Sequence, residues 1–184
     1  MHDKIIHAFL DTLMHHRIRD ITLDIVAGKA GVDVSQVASL GQSVSDLYDA
    51  FLKMQEDALF CALPAANLLG SPERDALLEI MATRFEVMRP FRYFYAFLEK
   101  GLVQSGDLSL LCLGHEYRSF MGGLRHYGLL QENLLDHIKR HGAFSIYIIA
   151  LQSWIHDPSP DHDSTLETLD GLLLKAEKFL ERYQ

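Results

Sequence analysis

The stretch ITLDIVAGKAGVDVSQVASLGQSVSDLYDAF, residues 21–51, decides the fold. Thr22 is a good helix N-cap, apolar residues follow at helical spacing through Lys29, and Gly31 can supply the left-handed residue that closes a helix. Asp33 can cap a second, short helix. Ser43-x-x-Asp46 is a capping-box-like start for a longer helix running to about Leu63. Short helices joined by a glycine turn and followed by a long one have the layout of a helix-turn-helix with a connecting helix.

Outward from this stretch the helical period continues. Upstream, Ile6, Phe9, Leu10 and Leu13 predict a helix over about 3–16. Downstream, Ser71-Pro72 has the form of an N-cap followed by proline at the first helical position. Leu77, Met81, Phe85 and Met88 then make one stripe, which Pro90 breaks or kinks before an aromatic segment from Phe91 to Phe97. After a turn at VQSGD, Leu110, Leu113, Tyr117, Phe120 and Leu124 recur every three or four residues. A turn at HYGLLQEN precedes a long helix over about 132–155. HDPSPDHD, residues 156–163, reads as a loop, because its prolines and aspartates compete with helix. Ser164-x-x-Glu167 has the form of a capping box for a last helix with Leu166, Leu169, Leu173, Ala176 and Leu180 on one face. The expectation is an all-α chain of about nine helices and no sheet. It would be organised as a helix-turn-helix module over 1–50 and a larger helical bundle over 51–184.

The 184 residues are 48% apolar, enough for a sizeable core, and carry a formal net charge of -8. That balance argues against a protein that coats nucleic acid, because phosphate neutralisation needs clustered cations. Cys61 and Cys112 both sit among apolar neighbours and read as buried thiols of a reducing compartment. The N-terminus lacks the basic and long apolar regions of a signal peptide, and the longest apolar run, near Phe144–Trp154, is interrupted by Ser145, Gln152 and Ser153. A cytoplasmic protein without stable membrane insertion is expected.

Thr22, Asp24-Ile25-Val26, Ala30-Gly31-Val32, Val37, Ser43 and Leu47 fit the pattern T-x-x-D-I-A-x-x-A-G-V-S-x-x-x-L-Y-x-H-F-x-S-K-x-x-L, and the chain resembles the TetR family of one-component transcriptional regulators. The resemblance implies an all-helical homodimer that reads operator DNA with its N-terminal module. It also implies a small, often apolar, effector in the larger domain and a dimer interface on the last two helices. The motif covers about 30 residues, and the departures from it lie where DNA contacts fall: Ala38 stands for the family's Tyr, Leu40 for its His, Gly41 for its Phe and Val44 for its Lys. A second resemblance accommodates these departures. GVDVSQVASLGQSVSDL and SWIHDPSPDHDSTLETLDGLL are similar to the ubiquinone-biosynthesis lipid-binding proteins, which share the TetR-type fold without acting as repressors; Gly41, Ser159-Pro160-Asp161, Thr165 and Leu169 match. Those proteins carry a further C-terminal amphipathic helix for membrane contact, whereas the sequence here ends at Gln184. The segment D-x-L-x-x-x-M-x-x-R-F-E, Asp75–Glu86, also resembles bacterial TetR-like proteins.

The candidate residues follow. For DNA they are Arg17, Arg19 and Lys29 with the polar tips of Ser35, Gln36, Ser39 and Gln42. Residues 1–50 set only Lys4, Arg17, Arg19 and Lys29 against Asp3, Asp11, Asp20, Asp24, Asp33, Asp46 and Asp49, so any DNA binding should be weak. For an apolar ligand they are Phe85, Met88, Phe94, Phe97, Tyr117, Phe120, Met121 and Tyr147, a set that equally suits bundle core. For a homodimer they are Ile148, Leu151, Leu166, Leu169, Leu173 and Leu180, on helices apolar too far around for one packing face. His137 and His141 have metal-chelating spacing, but no carboxylate completes a set, so no metal or other cofactor is expected. No nucleophile elbow, phosphate loop or Cys–His pair marks an enzyme. The expectation is a ligand-responsive transcriptional regulator of TetR type with a degenerate reading helix. The alternative is a lipid- or quinone-precursor-binding protein that has lost DNA recognition.

Overall fold

A computed structural model describes residues 1–104, 106–129, 134–159 and 161–182, with side chains throughout except at 102–104, 106–107 and 134–138. Among the described residues every regular element is helical: α1 (His2–His15), α2 (Leu23–Ala30), α3 (Val34–Ala38), α4 (Val44–Ala62), α5 (Glu73–Met88), α6 (Arg92–Gln104), α7 (Gly106–His126), α8 (Leu134–His156) and α9 (Asp163–Leu180), with short 3-10 turns at Ile18–Asp20, Ala65–Leu68 and Arg89–Phe91. Among the described residues no helix is long and apolar enough to cross a membrane. The helices pack as two compact units, one of residues 1–55 with 91–116, the other of 56–90 with 117–184.

In the first unit, α1 buries Ile5, Ile6, Phe9, Leu10 and Leu13, the face its period dictates. The Thr22 hydroxyl accepts from the Ile25 N–H at 3.4 Å and so caps α2. Gly31, at φ +61°, ends it. The Gly31 and Val32 N–H groups donate to the carbonyls of Gly28 and Ala27 at 3.3 and 3.1 Å, the paired closing bonds of a Schellman motif. Val26, Ala27, Ala30, Val37 and Leu47 fill the space between these short helices.

The turn between α3 and α4 explains one departure from the family pattern. A Cβ built on Gly41 would stand 2.6 Å from the Asp46 Cβ and 2.8 Å from the Leu47 nitrogen, so only glycine fits against the first turn of α4. That turn is capped reciprocally: the Ser43 hydroxyl accepts from the Asp46 N–H at 3.1 Å, and the Asp46 carboxylate reaches back to the Gln42 N–H at 3.1 Å. The carboxylate lands one residue before the N-cap, unlike a standard capping box. Its hydrogen bonds, from Ser43 first, hold the Asp46 pKa below its ordinary value.

In the second unit, Leu59, Leu63 and Ile80 form one buried cluster, with Phe60, Leu68, Val87, Tyr127 and Leu129 packed around it. Phe85 stacks on Tyr147 and Trp154 at 5.8 and 5.7 Å, and Phe120 on Tyr147 at 4.9 Å. α5 starts at Glu73 with Pro72 as its N-cap residue, one position later than the Ser71 cap expected. Of the two cysteines, Cys112 is buried as expected and Cys61 is exposed.

The start of α9 corrects a second expectation. Ser164 and Glu167 do not cap it; the helix has already begun at Asp163. Asp157, buried in the preceding loop, does this work instead. Its carboxylate accepts from the Ser159 N–H and hydroxyl at 2.9 and 2.6 Å and from the Thr165 N–H and hydroxyl at 2.8 Å each. The Ser159 hydroxyl also accepts from the Asp163 N–H at 3.0 Å. Ser159 and Thr165 of the second resemblance thus converge on one carboxylate, and Leu169 lies fully buried one turn further on. These donors, the Ser159 hydroxyl above all, hold the Asp157 pKa well below the usual carboxylate range.

Two outcomes follow. Gly41→Ala should destabilise the chain by about 1–3 kcal/mol, the cost of forcing a methyl into a packed contact, measured by urea unfolding. Asp157→Ala should cost about 2 kcal/mol, since it opens several donors at once. Because the folded pKa of Asp157 is depressed, its contribution is complete above the unfolded value near ~3.9 and falls away as the pH drops below it. The gap in stability between the parent and Asp157→Asn, followed by unfolding from pH 7 to pH 3, should therefore begin to narrow near pH 4 and still be open at pH 3.

Candidate functional site

Three places carry polar or concave features. The first is the surface of the helix-turn-helix. Arg17 and Arg19 are exposed, and Arg19 lies 3.9 Å from Asp20. Lys29 is paired with Asp11 on α1. On α3 the polar tips are turned to local use. The Ser35 N–H and hydroxyl donate to the Asp33 carboxylate at 3.0 and 2.9 Å, and Gln36 accepts from the Asp33 N–H at 3.0 Å, which completes a capping box. The Ser39 hydroxyl donates to the Gln36 carbonyl at 2.7 Å. Gln42 is exposed, with its N–H taken by Asp46. A helix of five residues cannot hold itself by its own ladder, so its serines and glutamine supply the missing bonds.

The second is a buried polar cluster, also in the first unit, that joins α4, α6 and α7. His115 is buried on α7 and bonds α4 at both ring nitrogens: Nδ1 lies 2.5 Å from Asp49 Oδ1 and Nε2 lies 3.0 Å from Ser45 Oγ. Its neighbour Glu116 receives the Tyr48 hydroxyl at 3.3 Å and the Tyr95 hydroxyl at 3.0 Å. Tyr95 also lies 3.0 Å from the Gln55 amide oxygen. One phenolic proton cannot serve both, so with Glu116 ionised the amide is better turned over, its NH2 donating to Tyr95. Burial, with the Glu116 charge next, pushes the Tyr48 pKa well up and keeps that phenol a donor. Burial likewise pushes the Cys112 thiol up to about 12.

Ser45, His115 and Asp49 have the contacts of a serine–histidine–carboxylate relay, which the sequence order conceals. A nucleophile also needs donors free to hold an oxyanion. The nearby N–H groups of Asp46 and Leu47 are already spent on the Ser43 hydroxyl and carbonyl. The arrangement acts as a tie between helices.

The third feature is a cleft of about 460 Å³ in the second unit. Its floor is Leu77 of α5, Leu124 of α7, Ala143 and Ile146 of α8, and Leu173 and Leu180 of α9. Its rim is laced by ion pairs: Lys139 to Glu73 at 2.8 Å, and Arg74 to Asp170 and, at 3.9 Å, to Glu177. The ring set expected to line a pocket does not line this one. Phe85, Met88, Phe120, Met121 and Tyr147 are buried in the second unit, with Tyr117 half-buried against His141 and Phe144. Phe94 and Phe97 belong to the first unit, 6.5 Å apart. Among them lies a buried arginine that the sequence reading passed over. Arg84 donates to the Tyr147 hydroxyl at 3.3 Å and the Ser119 hydroxyl at 3.1 Å, and Tyr147 donates to the Met88 sulfur at 3.6 Å. The His137 side chain lies outside the described residues, among which no metal-binding group occurs.

On the proposed dimer face, Leu169 and Leu173 are buried within the chain itself, while Ile148, Leu151, Leu166 and Leu180 are half-buried. Among the described residues, the large apolar side chains that α8 and α9 leave most exposed are Ile149 (48%), Leu174 (36%) and Phe179 (55%).

No known family pattern and no curated protein sequence matches the chain. Solved structures do. A TetR transcriptional regulator from Nitrosomonas europaea is 14% identical with a TM-score of 0.66 over 96% of this chain and 98% of that one. A putative TetR-family regulator from Syntrophomonas wolfei is 13% identical with a TM-score of 0.61, over 95% and 93%. A putative fatty acid metabolism regulator from Clostridium perfringens is 14% identical with a TM-score of 0.56, over 94% and 97%. At these identities the likeness is one of architecture, and along nearly its whole length the chain has the TetR-type fold.

Proposed function

We propose that the protein is a ligand-responsive regulator of transcription that works as a cytoplasmic homodimer, binds DNA weakly and is not an enzyme. The observation that carries this is a fully capped helix-turn-helix, Thr22 to Gly31 and Asp33 to Ala38, within a chain whose fold is that of solved regulators. Weak binding follows from the surface. Arg17 and Arg19 are exposed, Lys29 is engaged by Asp11, and the tips of Ser35, Gln36 and Ser39 are held by hydrogen bonds within the same turn, to the Asp33 carboxylate, the Asp33 N–H and the Gln36 carbonyl. Base contacts by those tips would first have to break local bonds. A second reading, a lipid- or quinone-precursor-binding protein without DNA recognition, draws support from the same occupied tips and from the apolar floor of the cleft.

Purified protein titrated against its own upstream DNA should bind with a salt slope of only about two to four ions per protomer, and Arg17→Ala with Arg19→Ala should abolish binding. No binding even at low salt removes the regulator reading and leaves the second one. Steep, tight binding refutes the proposed weakness.

The homodimer rests on Ile149, Leu174 and Phe179, which a lone protomer leaves in water. Light scattering at micromolar concentration should give twice the 20.9 kDa chain mass, and Ile149→Glu with Leu174→Glu should return it to one.

A further inference from the structure

The helix-turn-helix module is acidic or basic according to its histidines. Over residues 1–50 four lysine and arginine side chains face seven aspartates, and four histidines, His2, His7, His15 and His16, stand among them. All four histidines are exposed. With the imidazoles neutral the formal side-chain balance is acidic; with all four charged it turns basic, because eight cations then outnumber seven carboxylates. Imidazole is the side chain that makes this change in the physiological pH range.

Two of the four sit where that change bears on a phosphate. His15 and His16 end α1 and lead through the exposed Arg17 and Arg19 to Thr22, the N-cap of α2. The first helix of a helix-turn-helix, here α2, crosses the DNA backbone, and a helix N-terminus offers its N–H groups to phosphate oxygens. The two rings are set alike. His15 Nδ1 lies 2.7 Å from the Asp11 carbonyl and His16 Nδ1 lies 3.3 Å from the Thr12 carbonyl. A carbonyl only accepts, so Nδ1 carries the proton and Nε2 of each neutral ring is an acceptor. A phosphate oxygen is an acceptor too, and the pair repels. Protonation converts Nε2 into a charged N–H donor, so it changes the sign of the charge and the sense of the hydrogen bond together. The Asp11 carboxylate lies 3.4 Å from His15 Nδ1 and also holds Lys29 of α2, while Asp20 lies 3.9 Å from Arg19. The helices packed on α1 add Asp24 of α2 and Arg92, Glu99 and Lys100 of α6.

We infer that DNA binding by this module is proton-gated, weak while His15 and His16 are neutral and tightened when both are charged. DNA as the partner rests on the regulator reading; the gate goes beyond it. Each imidazolium that meets a phosphate releases about one further counterion. Without His15 and His16 at most six cations stand against the seven aspartates, so the module stays acidic however far its remaining histidines are charged.

The test titrates the full chain against its own upstream duplex and a random-sequence duplex of equal length, at fixed low ionic strength, from about pH 8 to about pH 6. That span lies above the pI of about 5.6. Affinity for the upstream duplex should rise about tenfold across it, with a salt slope steeper by about two ions. Calorimetry in two buffers of different ionisation enthalpy should show protons taken up on binding. His15→Gln with His16→Gln should lose both the rise and the uptake. His15→Arg with His16→Arg, which makes the two charges permanent, should bind at the alkaline end as tightly as the parent does at the acid end. His126→Gln, which removes an exposed histidine of the second unit, should leave the rise and the uptake unchanged.

Equal affinity for the upstream duplex at the two ends of the span overturns the gate and leaves the regulator reading standing. A rise that the glutamine pair retains overturns the gate as well. A gated rise shared equally by the two duplexes upholds the gate and removes the regulator reading. Binding to neither duplex at the acid end overturns both.

Discussion

A carboxylate taken out of water must be met by donors, and Glu116 therefore fixes how three helices of the first unit meet. Tyr48 comes from α4 and Tyr95 from α6, and both hydroxyls close on one carboxylate of α7. Apolar packing is non-directional and tolerates volume-conserving exchanges of partner. A buried acid adds a directional demand, since a shift of any of the three helices would strand the carboxylate and two phenols. The second unit is pinned by the same logic with the sign reversed at one place. Arg84 on α5 is buried against Tyr147 of α8 and Ser119 of α7, and Asp157 anchors the entry to α9. Each unit of this largely apolar chain is thus registered by a few ionisable groups inside it.

What the sequence revealed was local. Thr22, Gly31 and Asp33 act within four residues of themselves, and such caps can be recognised from spacing because the helix geometry is constant. The Ser164–Glu167 box satisfied the same spacing and still lost. Asp157, eight residues before Thr165, offers an ionised acceptor through a closed loop, and a loop of that kind has no periodic signature. The His115 contacts span 66 and 70 residues, and the cleft is assembled from four helices, so neither could be read from any window of sequence. The aromatic residues were conspicuous for a different reason. Rings bury the most area, so they mark a core wherever they recur, and here Phe85, Phe120 and Tyr147 stack on one another.

The reading helix shows a conflict between stability and recognition. α3 has only five residues, and three of its polar side chains or their neighbours are consumed in holding it: Ser35 and Gln36 at the Asp33 cap, Ser39 at the Gln36 carbonyl. Gly41 tightens the exit so that α4 can begin at once. Of the substitutions that separate this stretch from the DNA-reading pattern, Gly41 therefore has an internal rationale, a tight exit into α4.

The His115 joint has a consequence for how α4 and α7 could ever be parted. Nδ1–H donates to the Asp49 carboxylate and Nε2 meets the Ser45 hydroxyl, and these two α4 residues lie four apart on one face of that helix. A shift of one helix along the other, by a distance comparable to a hydrogen bond, breaks both contacts at once.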